Sequence, residues 1–443
     1  MDTKMNELEK FVKTIESIAN NSEELSIENQ RRIVFEINRF LFCTHNGIGQ
    51  TTELDGEQFQ LFSDYHKYWK ENYVDILSLY CDDEQCSKVA DVLHSIYVKT
   101  EGRAFEEVYE TYGLSRNQIF LIRILTANQD FNGSRNFKEL ADIYLEKPDI
   151  FIPDTIIDRP GDFISALNFS TLSQTDKRID FAKNIAAFVK KYGSEPDVML
   201  ESFGNDVFEF RKALINNSNT GYGNKKTDMF IRDMVQTNVW ENVAGFDKID
   251  VASDANTIKI AMKTGILKSS IPLLSSFMDI FCYQYGHVDL FNAKAWRRVW
   301  EIWCEKYPNE CVSSPCQMDY LIYNLIGRKI CKNSLTEYIC NNCGASFYWH
   351  NSMKRVCPEC KSHELRKQSS LPCKNENGKC VIKNLAKEKN LFLKEFNNCP
   401  FLDICNNGGN INAASPKSIS IKGQTGWTSA YANEANGGGG LMA

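Results

Sequence analysis

Apolar residues recur at intervals of three and four along most of this chain, and strict alternation is sparse. Over Met5 to Ile18 and Glu28 to Phe42 that spacing predicts amphipathic helices. The same period predicts helices over Ser173 to Lys191, Lys225 to Val235, Ala255 to Thr264 and Cys316 to Ile330. A mainly α fold follows. The period breaks at Asp149-Ile150-Phe151-Ile152-Pro153-Asp154 and at Arg159-Pro160-Gly161, which places a domain boundary near residue 150. Residues 337–367 change character, being short and bounded by cysteines, with Phe347-Tyr348-Trp349 as a strand. Asn406 to Ala443 carries too few apolar residues to pack and is expected to be disordered. The segments are thus 1–150, helical and without a readable motif; 151–331, a helical core; 332–370 and 371–405, two cysteine regions; and a tail over 406–443.

The chain has 443 residues, is 24% charged and 43% hydrophobic, and carries a formal net charge of −6. Those values fit a soluble globular class with room for two or three domains. No apolar run reaches the length of a membrane span, and Met1 to Asn20 lacks the apolar core of a signal peptide. An intracellular protein without a membrane partner is expected. Charge nevertheless segregates. Lys332 to Asn398 holds twelve Lys and Arg against six Asp and Glu. One basic region in an acidic chain suits either a surface that meets phosphate or a solvated lysine-rich face.

Cysteine usage points to metals before disulfides. Nine of the 16 cysteines fall between Cys331 and Cys405. Cys340-Asn341-Asn342-Cys343 and Cys357-Pro358-Glu359-Cys360 form two C-x2-C pairs thirteen residues apart. Each pair can turn two thiolates toward one ion, and two pairs complete a tetrahedron, so a zinc ribbon is expected. Lys354, Arg355 and Tyr348 are its candidates for contact with nucleic acid. Cys304, Cys311 and Cys316, with Cys282 upstream, form no such pair and are read as packing ahead of helix capping or another metal, and Cys81 and Cys86 as packing or isolated thiols.

The densest chemistry lies at Gly221-Tyr222-Gly223-Asn224-Lys225-Lys226-Thr227-Asp228, followed by Asp254-Ala255-Asn256-Thr257-Ile258-Lys259-Ile260. Glycines one residue apart allow a tight turn, and a helix opening there presents free N–H groups that can hold a phosphate. A lysine amine is a nucleophile when neutral. A downstream aspartate can balance charge or, more simply, cap the next helix.

These stretches resemble the helix-hairpin-helix DNA glycosylases, the superfamily of endonuclease III and the 8-oxoguanine glycosylases. That family's hairpin reads Gly-x-Gly-x-Lys-x-Ala, matched by Gly221 to Thr227 with Thr for Ala. Its aspartate helix reads Asp-x-His-x-x-Arg-Val, matched by Asp254 to Ile260 with Asn256, Lys259 and Ile260 as the departures. Leu172-Ser173-Gln174-Thr175-Asp176 resembles more loosely a helix start whose glutamine enters DNA. Ile326-Gly327-Arg328-Lys329-Ile330-Cys331 resembles the Gly-Arg-x-x-Cys that leads into an iron–sulfur loop. Together the matches cover roughly residues 155–331.

The resemblance implies a helix-hairpin-helix core and removal of a flipped, damaged or modified base from double-stranded DNA. It makes Asp254 the anion that stabilises an oxocarbenium-like state, with Asp250 as a second candidate. Lys225 becomes the Schiff-base nucleophile in the register that keeps the glycines, and Lys226 in the other. Gly221, Tyr222, Gly223, Lys226 and Gln174 are then DNA contacts, the alternatives being that Tyr222 packs on the next helix and that Gln174 is a surface glutamine. If both lysines only meet phosphate, the chain is a binding module of the same fold. The family's cluster loop, C-x6-C-x2-C-x5-C, is similar to Cys373-x6-Cys380 and Cys399-x5-Cys405 with a longer middle spacing. This implies a [4Fe–4S] cluster on Cys373, Cys380, Cys399 and Cys405, with Cys331 as an alternative ligand and a second zinc as the competing occupant.

Overall fold

The computed structural model describes residues 78–106, 110–129, 136–168, 175–268, 285–330, 334–344, 346–349, 357, 360, 362–372 and 399–405, with short pieces at 13–14, 17–18, 51–54, 57–60 and 74. Gln174, Cys331, Lys354, Arg355, Cys373, Cys380, most of the two N-terminal helices expected above and the 406–443 tail lie outside them.

The chain is mainly helical, as its periodicity predicts. In order come β1 (Thr51–Leu54), β2 (Glu57–Gln60), β3 (Tyr80–Cys81), α1 (Asp83–Thr100), α2 (Arg116–Thr126) and α3 (Phe137–Glu146). Then follow α4 (Pro153–Asp158), α5 (Pro160–Leu167), α6 (Thr175–Tyr192), α7 (Pro196–Glu201), α8 (Val207–Asn216), α9 (Asn224–Gln236) and α10 (Ala255–Thr264). The last stretch holds β4 (Leu267–Lys268), α11 (Tyr285–Lys306), a π-helix over Tyr320–Ile330, β5 (Ser334–Cys340), β6 (Ser346–Trp349) and β7 (Leu365–Pro372). No helix among the described residues is long and apolar enough to cross a membrane.

The helices start where side chains can satisfy their first N–H groups. Ser115 with Gln118 and Asn136 with Glu139 form capping boxes at α2 and α3. Asp82 and Asp206 cap α1 and α8. Pro153 and Pro160 open α4 and α5 at positions whose N–H would be unpaired in any case.

Two compact units emerge. One is Phe105–Ala252 with Val312–Tyr320, and the other takes the chain up to Ala104, Ser253–Cys311 and onward from Leu321. The core of the first unit runs continuously through Phe120, Phe151, Phe163, Phe188, Phe210, Phe230 and Trp240. Helices on both sides of residue 150 thus share one core. The prolines that signal a boundary in the sequence act as helix starts inside that unit. Trp240 is its centre, with ring centroids 5.0 Å from Phe210 and 5.6 Å from Phe230, and its indole N–H donates to Pro196 O at 3.0 Å.

Buried ion pairs fix α9 in the same unit. Arg211 grips Asp228, its Nη2 at 3.0 Å from Oδ2. Arg123 and Arg232 both meet Asp233, and Arg232 also reaches Asp319. Burial pulls the Arg211 pKa down, but the Asp228 hydrogen bond and charge, helped by the Asp250 charge, outweigh it and raise it.

In the other unit α11 packs along α1, and Asn292, Trp296 and Trp303 are wholly buried from α11. Cys86 lies inside, pushed up to about 12 by burial first. The π-helix takes much of the stretch expected to be one α-helix from Cys316. A Cβ at Gly327 would stand 2.8 Å from both Asn256 Cβ and Ile322 O, so only glycine admits this approach to α10.

Asp228→Ala strands Arg211 in a half-buried place and should cost about 3–5 kcal/mol in a urea unfolding titration. Replacing both partners with Leu should cost clearly less. Equal losses would mean the pair is not what holds α9.

Candidate functional site

The hairpin at 217–227 is built by contacts remote in sequence. Gly221 sits at φ +76, and a Cβ there would stand 2.7 Å from the Phe181 ring. Asn128 clamps the turn, its Nδ2 donating to Thr220 O at 2.9 Å and Phe181 O at 3.2 Å. Tyr222 points inward. It is buried, its hydroxyl donates to Ile124 O at 2.7 Å, and burial drives its pKa well above the usual phenol range. The expected DNA contact by this ring is therefore replaced by packing.

Gly223 has extended backbone and caps α9 without a side-chain hydrogen bond. Nothing lies within 4 Å of where its Cβ would be, so that space is open. The first turn of α9 carries both lysines. Lys225 is exposed. Lys226 is half-buried and donates from Nζ to Asn128 O at 2.7 Å.

The two aspartates differ in surroundings. Asp250 lies in the electrostatic reach of Arg211 and belongs to the unit of the hairpin. Asp254 belongs to the other unit and opens α10 as its N-cap. Its Oδ1 accepts the N–H groups of Asn256 at 2.9 Å and Thr257 at 2.8 Å, and Oδ2 accepts Asn256 Nδ2 at 3.2 Å. The helix spans Ala255–Thr264, as the spacing of its apolar residues predicts. Behind it, Asn292 Nδ2 donates to Ser253 Oγ at 2.8 Å and to Thr257 Oγ1 at 3.1 Å. Lys259 Nζ holds Gly327 O at 2.8 Å and Asn256 Oδ1 at 3.3 Å. Asn128 and Asn292 were not singled out by sequence. The available signal was a buried asparagine on an otherwise apolar helical face.

The expected metal quartet is brought together. The ligand atoms of Cys340, Cys343, Cys357 and Cys360 all lie within 4.8 Å of one another and could hold a metal ion. Cys340 and Cys360 Sγ are 3.6 Å apart, and Cys343 and Cys357 Sγ are 3.5 Å apart. Cys340 ends β5, the middle strand of a sheet of order β6-β5-β7 that is antiparallel throughout, and the other three cysteines lie outside its strands. Gly344 N donates to Cys340 O at 2.9 Å and Cys357 N to Ser362 O at 2.8 Å, closing the two turns. Asn342 Nδ2 meets Cys360 Sγ at 3.5 Å, and this bond, then the Ser362 backbone, brings the Cys360 thiol down to about 6. The strand expected at Phe347-Tyr348-Trp349 is β6.

Of the second cysteine set, Cys399 is buried and Cys405 half-buried, on either side of a 3-10 turn over Leu402–Ile404. Cys316 is buried in the core with Ser314 Oγ 3.2 Å from its sulfur. Cys304 and Cys311 depart from the packing expectation, with sulfurs 2.8 Å apart. No protein-family model, curated protein or solved structure matches this chain.

Cys357→Ser should remove the metal ion from the quartet, read as the loss of one equivalent by elemental analysis of the purified chain. Protons compete with the ion for thiolates, so metal should also be released progressively as the pH is lowered into the acid range. Retention by the variant would mean the ion sits elsewhere.

Proposed function

We propose that this chain is a DNA N-glycosylase with an AP-lyase step, acting on a damaged or modified base in double-stranded DNA. The observation that carries the reading is the hairpin. An uncapped helix start at Gly223 opens onto free space, with an exposed lysine on the first turn of α9. Backbone N–H groups of that start can meet a phosphate while the lysine reaches the sugar. Lys226 already spends its amine on Asn128 O, which favours Lys225 as the nucleophile.

In the proposed reaction the Lys225 amine attacks the anomeric carbon and the base departs with the bonding electrons. The resulting Schiff base permits β-elimination and strand cleavage. Asp254 supplies a fixed negative charge for the oxocarbenium-like state. Two backbone N–H groups and the Asn256 amide hold that carboxylate in one orientation. The same hydrogen bonds make it a helix cap, so removing it also has a structural cost.

We infer zinc for the ribbon quartet. A thiolate tetrahedron with Zn–S of about 2.3 Å has sulfurs about 3.8 Å apart, close to the 3.5 and 3.6 Å separations here. Four thiolates leave no open position, so the ion is structural. The basic run carrying Lys354 and Arg355 would then be presented to DNA. A [4Fe–4S] cluster is proposed on Cys399 and Cys405 with Cys373 and Cys380, Cys331 being the alternative. It would act as a structural cofactor.

Borohydride trapping on a duplex with one abasic site should capture the wild-type chain covalently, and Lys225→Gln should lose capture. Loss in Lys226→Gln instead moves the nucleophile by one residue. Asp254→Asn should slow base excision by about a hundredfold or more with little change in binding. Binding without any trapping or excision, across duplexes with oxidised, alkylated, deaminated and hypermodified bases, would favour a non-catalytic DNA-binding protein.

The purified protein should also be brown and contain about one zinc and about four irons per chain. An anaerobic, colourless preparation with two zincs would overturn the cluster.

A further inference from the structure

We propose that Cys304 and Cys311 form a redox-active dithiol that reacts with low-molecular-weight disulfides and closes to an intramolecular disulfide. The pair stands outside the metal quartet and takes no part in the glycosylase reading.

Local structure brings the two sulfurs together. Cys304 lies in the last turn of α11, which ends at Lys306. Tyr307 N still bonds Trp303 O at 2.9 Å, and Glu310 N then bonds Tyr307 O at 3.0 Å, folding the chain back. The Trp303 indole N–H donates to Glu310 O at 2.9 Å and pins the returning strand against the helix. Two contacts hold the turn from the α1 side. His94 stacks on Tyr307 with ring centroids 3.5 Å apart, and its Nε2 is 2.6 Å from Glu310 Oε2. The result leaves Cys304 and Cys311 Sγ 2.8 Å apart, well inside ordinary sulfur contact. Both thiols are partly exposed, so a small reagent can reach them. Among the described residues no third Cys, His, Asp or Glu joins them in a metal-holding group.

The two thiols have different jobs. The hydrogen bond runs from Cys304 to Cys311. Cys311, the sulfur nearer the end of the turn, is the acceptor in that contact. Burial first, and then the Cys311 contact, push the Cys304 thiol well above its usual range. In the exchange Cys311 gives its proton to solvent, and its sulfur attacks the reagent disulfide and expels one small thiolate. Cys304 gives up its proton, attacks Cys311 Sγ and expels the second. The protein loses two hydrogens, and one small disulfide becomes two small thiols. The new bond would tie the end of α11 to the turn that His94 holds.

The test uses the full chain with its metals, equilibrated in glutathione buffers from reducing to oxidising, then alkylated and digested with trypsin. Cleavage after Lys306 separates the two cysteines, so their disulfide leaves residues 299–306 and 307–328 joined as one product. We expect that product to form in oxidised buffer before Cys340 or Cys357 loses alkylatable thiol, and to vanish on reduction. In Cys304→Ser, Cys311 should instead accumulate as the glutathione adduct. Oxidised wild type should melt higher than reduced, and Cys311→Ser should show no such difference. Full alkylation of both thiols in the most oxidising buffer would overturn the proposal. So would linkage of Cys304 to Cys316, which shares the 307–328 peptide and is distinguished by fragmentation. Protection of both thiols that disappears only with a chelator would assign them to a metal instead.

Discussion

The hairpin helix α9 rests on carboxylates that the fold has taken out of water. Asp228 and Asp233 are each about 3% exposed and would be costly there without partners. Arg211 answers the first, while Arg123 and Arg232 answer the second and Arg232 goes on to Asp319. These bonds reach α8, α2 and the stretch before the π-helix. They fix where the first turn of α9 points and therefore where Lys225 and Lys226 stand. An apolar core around Trp240 supplies the burial, and the ion pairs supply the orientation. Hydrophobic contact alone is non-directional and would tolerate rotation of α9 about its axis.

The same division of labour recurs at Asp254. Its carboxylate is held by the start of its own helix, and that helix is held by polar contacts from elsewhere. Asn292 reaches Ser253 and Thr257 from α11, and Lys259 reaches the Gly327 carbonyl. In the reaction proposed above, the side chain that stabilises charge must not relax away when charge appears. Each of these bonds raises the cost of such relaxation.

Local patterns were legible in the sequence and remote contacts were not. The Cys340 and Cys357 pairs are legible because metal geometry constrains spacing within a few residues. The boundaries of α10 match the expected helix because Asp254 and Gly265 cap its ends. Tyr222 misleads, since a tyrosine between two glycines looks like a loop tip. Its inward turn depends on Ile124 O, 98 residues earlier. The Lys226 bond to Asn128 has the same separation and the same invisibility. Pro153 and Pro160 mislead for another reason. Proline interrupts a helix and also starts one, so the residue type alone does not say whether a unit ends. Neither the π form of 320–330 nor the close approach of Gly327 to Asn256 is encoded in periodicity.

The register of the ribbon sheet pairs Ser334 with Pro372. The first residue of β5 and the last of β7 are therefore neighbours across one antiparallel ladder, about 5 Å apart between Cα atoms. The intervening chain leaves and returns at one point, as a bead does on a closed loop of thread. Such a module can be gained, lost or exchanged by a lineage without lengthening the path of the main chain. Evolution can then vary what the ribbon touches while the helices before it keep their own contacts.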